Sequence, residues 1–165
     1  MSVLKTPRLE LREFTLEDAK FILELLNEPG FLRYIGDKGV RNLQDARNYL
    51  SQGPMDSYIQ NGFGLYAAAL DDGTLTGMCG LVSRPGLEDP DIGFAFLGRY
   101  CGQGLAIEAA RAVYEHGLHV LKLRRILAIV TPENARSIGV LEKLGLQFER
   151  FVRLNPDAEL LKLYA

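Results

Sequence analysis

The stretch from Asp91 to Ala106 constrains the fold of this chain more than any other. Asp91-Ile92-Gly93-Phe94-Ala95-Phe96-Leu97 is an apolar run of strand length. Gly98-Arg99-Tyr100-Cys101-Gly102-Gln103-Gly104 follows as a glycine-rich turn, and Leu105-Ala106 opens a long helical pattern. A strand that passes through glycines directly into a helix leaves the helix's first amides pointing outward together. Successive N–H groups at a helix N-terminus form an anion site, and glycine lets a ligand approach the backbone closely. Two familiar phosphate motifs fail here. A Walker A loop needs Gly-Lys-Ser/Thr, whereas Gly104 is followed by Leu105 and Ala106. The dinucleotide pattern needs a glycine where Ile107 stands. What remains is Arg99-x-x-Gly102-x-Gly104.

The rest of the chain supplies a frame around this turn. Leu9–Phe14 alternates apolar and polar residues and predicts a strand. Thr15 caps a helix, with Asp18 at the capping-box position. Phe21, Ile22, Leu25 and Leu26 form its stripe, and Pro29-Gly30 ends it. A weaker helical stretch covers Leu43–Ile59, broken near Gly53-Pro54. Phe63–Leu70 and Leu75–Ser83 flank Asp71-Asp72-Gly73-Thr74 as a hairpin. Asp91–Leu97 is the next strand. A helix runs from about Gly104 to Leu121, burying Ala106, Ala109, Ala110, Val113, Leu118 and Leu121. Arg125–Val130 is a short strand. Asn134–Leu144 is a helix with Gly145 at C′ and Leu146 as its apolar contact. Phe148–Leu154 and Glu159–Tyr164 close the chain as a strand pair. The order β-α-α-β-β-β-α-β-α-β-β predicts a mixed α/β fold in one domain spanning residues 1–165.

Composition removes several classes. A chain of 165 residues can bury roughly 68–70% of its unfolded surface without staples. Nineteen basic against 21 acidic residues leave a net charge of −2, so a nucleic-acid partner is not expected. No apolar run approaches the ~20 residues of a membrane span. Met1-Ser2-Val3-Leu4-Lys5 does not read as a signal peptide. Two cysteines, Cys79 and Cys101, cannot form a secreted disulfide framework, so a cytoplasmic location is expected.

Arg99-x-x-Gly102-x-Gly104 resembles the coenzyme A pyrophosphate loop (Gln/Arg-x-x-Gly-x-Gly/Ala) of the GNAT superfamily of N-acetyltransferases. Thr6-Pro7-Arg8-Leu9-Glu10-Leu11-Arg12 resembles the opening strand of its RimJ/RimL-like branch, which acetylates protein N-termini and related amines. Gly102–Ala109 is similar to that branch's loop and helix. Pro132–Ser137 and Leu141–Leu146 resemble its later motif. The likeness runs through nearly the whole chain in order and is weakest over residues 53–62. It implies a GNAT fold with a splayed central sheet, in which the Asp91–Leu97 strand parts from the Arg125–Val130 strand. Acetyl-CoA would lie in the V as co-substrate. Arg99, Cys101, Gly102, Gln103, Gly104, Leu105 and Ala106 would hold its pyrophosphate. Backbone groups of Phe96 and Leu97 would pair with the pantetheine like an added strand, and Asn134 would meet it from the other side.

The implied reaction is direct attack of a primary amine on the thioester, with no metal. The amine must be unprotonated. A free α-amine has pKa ≈ 7.7–8.0 and a lysine-like amine ≈ 10.4, so a base serves the second more. Asp91 is the candidate base; it could equally be a polar strand start after Pro90. Ser137 is the candidate acid for the departing thiolate; it could equally belong to ordinary helix-start chemistry. Asn134, or Thr131 with Pro132 at the first helical position, could be an N-cap. His116 and His119 stand at i, i+3 without a third ligand. Cys79 reads as core, and Cys101 as a residue whose sulfur turns away from the ligand. Arg124-Arg125 after Lys122, and Lys143, read as solvated charges or as contacts to a cofactor 3′-phosphate. The acceptor could be a protein N-terminus, aminoglycoside, polyamine or free amino acid, on a monomer or homodimer. The other class of reading is a non-catalytic acyl-CoA-binding or protein-interaction domain on the same fold.

Overall fold

A computed structural model describes all residues, 1–165. Strands β1 (Ser2–Lys5) and β2 (Glu10–Arg12) form the first hairpin. Helices α1 (Ala19–Leu26), α2 (Pro29–Tyr34), α3 (Leu43–Gln52) and α4 (Pro54–Asn61) follow. Strands β3 (Leu65–Ala69), β4 (Leu75–Val82) and β5 (Asp91–Phe96) form an antiparallel meander. Helix α5 (Leu105–His119), strand β6 (Ala128–Val130), helix α6 (Ala135–Lys143) and strands β7 (Phe148–Val152) and β8 (Leu161–Tyr164) complete the chain.

Two sheets result. One has the order β1-β2-β3-β4-β5 and is antiparallel throughout. The other has the order β6-β8-β7. They meet at a parallel bridge between Asp91 and Leu127. There Ile92 N–H donates to the Leu127 carbonyl at 2.8 Å, and Leu127 N–H donates to the Pro90 carbonyl at 2.9 Å. Beyond the bridge, β5 continues along β4 as far as the Gly77–Phe96 pair. Meanwhile β6 pairs with β8. The two strands therefore diverge, as expected for a splayed sheet.

Period-two alternation gives the first sheet a core on each face. Tyr66, Ala68, Cys79, Leu81 and Ile92 pack toward Leu105, Ala109, Ala110 and Val113 of α5. Ala67, Met78 and Leu97 pack toward Phe14, Ile22, Leu25, Leu26 and Leu50. A 3₁₀ turn at Leu16–Asp18 carries the expected capping box, with Thr15 and Asp18 reciprocally bonded. Asp18 also accepts two hydrogen bonds from Arg12, at 2.8 and 2.9 Å. The end of α6 is the expected Schellman turn: Leu146 N–H donates to the Leu141 carbonyl and Gly145 N–H to that of Glu142.

Three local expectations are corrected. Ser2–Lys5 is a strand, although four residues carry too little alternation to announce one. Pro29 does not stop a helix but occupies the first turn of α2. There its fixed φ and missing N–H cost nothing. The Arg125–Val130 strand is shorter, because its regular ladder is confined to Ala128–Val130.

Burial opposes ionisation of Asp18, but its bonds from Arg12 and the Thr15 amide outweigh it, holding the carboxyl below the usual carboxylate range. A depressed carboxyl contributes stability above its unfolded pKa of about 3.9 and loses it as pH falls further. Asp18→Asn should therefore cost about 2–4 kcal/mol at pH 7. In urea unfolding, the gap between variant and wild type should narrow below about pH 4 as the wild-type carboxyl takes its proton.

Candidate active site

The glycine turn is built as its sequence demands. Gly98-Arg99-Tyr100 forms one 3₁₀ turn. Gly102 and Gly104 then take left-handed φ values of 79° and 81°, which a side chain would resist. Gly104 is the N-cap of α5 and offers no capping side chain. The backbone amides of Gly102, Gln103, Gly104, Leu105, Ala106 and Ile107 donate to no backbone carbonyl. They gather at the positive end of a 15-residue helix. The geometry is that of an anion cradle.

The turn is clamped from outside by residues 100 positions earlier. Arg8 Nε meets Glu108 Oε1 at 2.8 Å, and the Arg8 amide meets Glu108 Oε2 at 2.9 Å. Thr6 Oγ1 donates to the same oxygen at 2.5 Å. Arg8 Nη1 then donates to the Gln103 carbonyl at 2.8 Å. Burial opposes the Glu108 charge, yet the bonds from Thr6 and Arg8 hold its carboxyl below its ordinary value. No spacing in the sequence signals this clamp. Arg99 lies at the turn's outer side, ion-paired with Glu24 at 2.8 Å. Gln103 Nε2 donates to the Arg99 carbonyl at 3.1 Å.

The V opens between the free edge of β5 and the segment Val130–Ser137. Thr131 follows the end of β6, four residues on from the Leu127 bridge position. Its Oγ1 is buried and has no hydrogen-bond partner. Asn134 Oδ1 accepts from the Ser137 amide at 3.2 Å, so Asn134 is the N-cap of α6. Its side-chain N–H₂ has no partner in the protein and remains available. Ser137 is half-buried in the first turn of α6. On the facing side, Cys101 Sγ lies 3.7 Å from the Phe96 carbonyl and 3.6 Å from that of Leu97. Leu97 differs from expectation. Its amide donates to the Thr76 carbonyl on the β4 side, and its carbonyl accepts from the Tyr100 amide as the 3₁₀ turn begins, so neither group is free for the V. The edge open to an added strand therefore ends at Phe96.

A cavity of about 370 Å³ lies against the other side of β5, lined among others by Phe31, Tyr49, Met78, Arg84, Gly93 and Ala95. Arg84 Nε and Nη2 donate to the two oxygens of Asp91 at 2.7 and 3.0 Å. Asp91 is only 1% exposed. Burial raises its pKa, against the opposing pull of Arg84. Arg84 lines the cavity, whereas Asp91 stands behind it. At the far end of β6, Arg124 pairs with Asp89 at 2.8 Å and Arg125 with Glu149 at 2.7 Å. Both arginines are thus engaged by carboxylates of the protein.

Comparison with known proteins agrees with this architecture. Residues 8–147 match the acetyltransferase (GNAT) domain family. The chain is 30% identical to the uncharacterized N-acetyltransferase YnaD of Bacillus subtilis, over 91% of this chain and 85% of that protein. A crystal structure of a GNAT-family acetyltransferase from Bacillus anthracis superposes with TM-score 0.80 and 27% identity, covering 99% of this chain and 96% of the other. RimL, described as a ribosomal L7/L12 alpha-N-protein acetyltransferase in complex with coenzyme A, shares the fold at TM-score 0.84 and 17% identity. That match covers 99% and 96% of the two chains.

Removing Arg84 should expose how much its buried partner depends on it. Arg84→Ala strands the Asp91 carboxylate and should cost about 3 kcal/mol in urea unfolding. Arg124→Ala, at the surface, should cost less than about 1 kcal/mol. Arg84→Ala with Asp91→Ala should recover part of the larger loss, since neither charge is then left unpaired.

Proposed function

We infer the working of the site from the premise that this chain belongs to the GNAT acetyltransferase family. The activity is N-acetyl transfer: an acetyl group passes from acetyl-CoA to an amine. The observation that carries our assignment of the site is the row of unpaired amides from Gly102 to Ile107, set where the V opens. Acetyl-CoA supplies the activated thioester. The cradle suits its pyrophosphate, and the free edge from Gly93 to Phe96 suits the amides of its pantetheine arm. Two groups across the V fit the same arm: the side-chain amide of Asn134 and the orphan hydroxyl of Thr131. A buried hydroxyl without a partner costs about 1–3 kcal/mol, which a ligand hydrogen bond would relieve.

In this assignment the amine enters from the cavity beside Gly93 and Ala95. Its nitrogen forms the new bond to the acetyl carbon as the carbon–sulfur bond breaks. Peptide N–H groups along the V polarise the carbonyl, and Ser137 relays a proton from water to the departing thiolate, giving up its own proton as it takes one from the water. Asp91, buried behind Arg84, acts as a positioning residue that orients the guanidinium. The amine's proton leaves through cavity water, which an α-amine of pKa ≈ 7.7–8.0 permits near neutral pH. The acceptor class is a primary amine on a small molecule or peptide terminus. The whole-chain likeness to RimL supports placing the chain near the RimJ/RimL-like branch. The free cysteines Cys79 and Cys101 agree with a cytoplasmic location. No helix is long and apolar enough to cross a membrane.

Gly104→Val tests the cradle. A β-branched residue in the left-handed region is strained, and its Cβ would stand 3.3 Å from Arg8 Nη2. CoA affinity should fall at least tenfold by calorimetry on folded protein, about 1.4 kcal/mol. Unchanged affinity would remove the turn from the site.

Ser137→Ala tests the proton donor. It removes a hydroxyl and little volume, so the fold should survive. The thiolate is a fair leaving group unaided, and kcat should drop about 10–100-fold. KM for acetyl-CoA should stay within a few-fold, because the effect belongs to the transition state. Wild-type kcat with a lowered Tm would make Ser137 part of the helix start alone.

A further inference from the structure

The cavity beside β5 has a charge pattern that no role above uses. Its ionisable lining groups are Lys38, Tyr49, Asp56 and Arg84. Arg84 spends Nε and Nη2 on the buried Asp91. The guanidinium is thereby fixed along one edge, and Nη1 has no protein partner. A planar fork held this way is pre-organised for an oxyanion. Lys38 is the second cation. It makes no ion pair with a carboxylate and stands in the field of Arg84. Its side chain is exposed at the cavity mouth, and desolvation by the surrounding protein and then repulsion from Arg84 hold its ammonium below the usual lysine range. Tyr49 stands within the field of the same guanidinium, and burial pushes its phenol up to about 12. It therefore stays a neutral hydrogen-bond donor. Asp56, on α4, is the opposing carboxylate of the lining and is exposed.

Arg84 keeps Nη1 free beyond its pair with Asp91, and Lys38 makes no salt bridge, so the cavity presents two cationic groups with hydrogen-bonding capacity to spare. An oxyanion between them would satisfy both. We propose that the acetyl acceptor is an amine that also carries a carboxylate or phosphate, held by Arg84 and Lys38. This inference rests on the acetyltransferase reading and narrows its acceptor class. Polyamines and aminoglycosides, whose charges are all positive, would meet repulsion from the same groups. An amino acid, a short acidic peptide or an aminoalkyl phosphate would not.

Lys38 is the residue to vary, because altering Arg84 would strand Asp91 in the interior. Acetylation would be measured with matched amines at saturating acetyl-CoA: alanine against alaninamide, phosphoethanolamine against ethanolamine, and spermidine as the cationic arm. The anionic member of at least one pair should be favoured at least tenfold in kcat/KM, mainly through KM. Preference in the first pair alone identifies a carboxylate, and in the second a phosphate. Lys38→Glu should bring the ratio to one or below, and Lys38→Gln, which adds no new charge, should lower it by a smaller factor. Calorimetry with the same amines on CoA-loaded enzyme reads the preference without turnover. Equal or tighter binding of the neutral members or spermidine would overturn the proposal, as would a ratio indifferent to both Lys38 variants. Failure of the protein to bind CoA at all would instead strike the acetyltransferase assignment of the site.

Discussion

The parallel bridge between Asp91 and Leu127 is the point from which the functional half of the molecule is organised. Each strand enters the bridge already committed elsewhere. The other edge of β5 is fully paired with β4, from Val82–Asp91 to Gly77–Phe96. β6 is paired with β8 through Ala128–Tyr164, Ile129–Leu163 and Val130–Lys162. Their facing edges could continue as a parallel ladder, but the second sheet turns away. The backbone groups thus left along the V cannot be satisfied by either sheet without dismantling an existing ladder. Unpaired backbone polar groups away from water are costly, so the opening is suited to a ligand with amides of its own.

Asp91 takes part in both consequences of that junction. Its backbone belongs to the bridge, and its carboxylate anchors Arg84 at the cavity. A carboxylate this deep is costly unless paired, and the two-point bond from Arg84 supplies the pairing. The arginine is consequently restricted in direction. What reads in the sequence as an acid at a strand start becomes, in three dimensions, a means of holding a cation against the cavity beside β5. Its burial and its bonds from Arg84 pull its pKa in opposite directions, so its charge state depends on that partnership.

The parts legible in the sequence are those governed by short-range rules. The Thr15–Asp18 capping box, the Asp71–Thr74 hairpin turn and the Schellman end at Gly145 each depend on residues a few positions apart. The glycine turn is legible for the same reason, since Gly102 and Gly104 alone predict a left-handed path into a helix. Other features depend on partners the spacing cannot show. Glu108 is an ordinary first-turn acid until Thr6 and Arg8 reach it across about a hundred residues. Pro29 carries the same local signal whether it ends one helix or begins the next, and packing of Phe31 into the core beside α1 decides the matter. Leu97 continues an apolar run, yet its backbone is claimed by Thr76 and Tyr100. Thr131 looks like a helix-start residue and is instead an unpaired hydroxyl beside the V.

The clamp on the turn has an energetic consequence for binding. A glycine-rich segment has the largest conformational entropy to lose when a ligand orders it. Here the Gln103 carbonyl is tied to Arg8, the Gly98 amide to Glu28 at 2.6 Å, and Arg99 to Glu24. The exposed pair with Glu24 contributes little stability by itself, but together these bonds fix the turn at several points. Most of the ordering cost is therefore met during folding rather than during binding, which is how pre-organisation raises affinity without additional contacts. The first hairpin, far from the V in sequence, acts on the turn through this route: the bonds of Thr6 and Arg8 to Glu108 and Gln103 set the shape of the glycine-rich backbone.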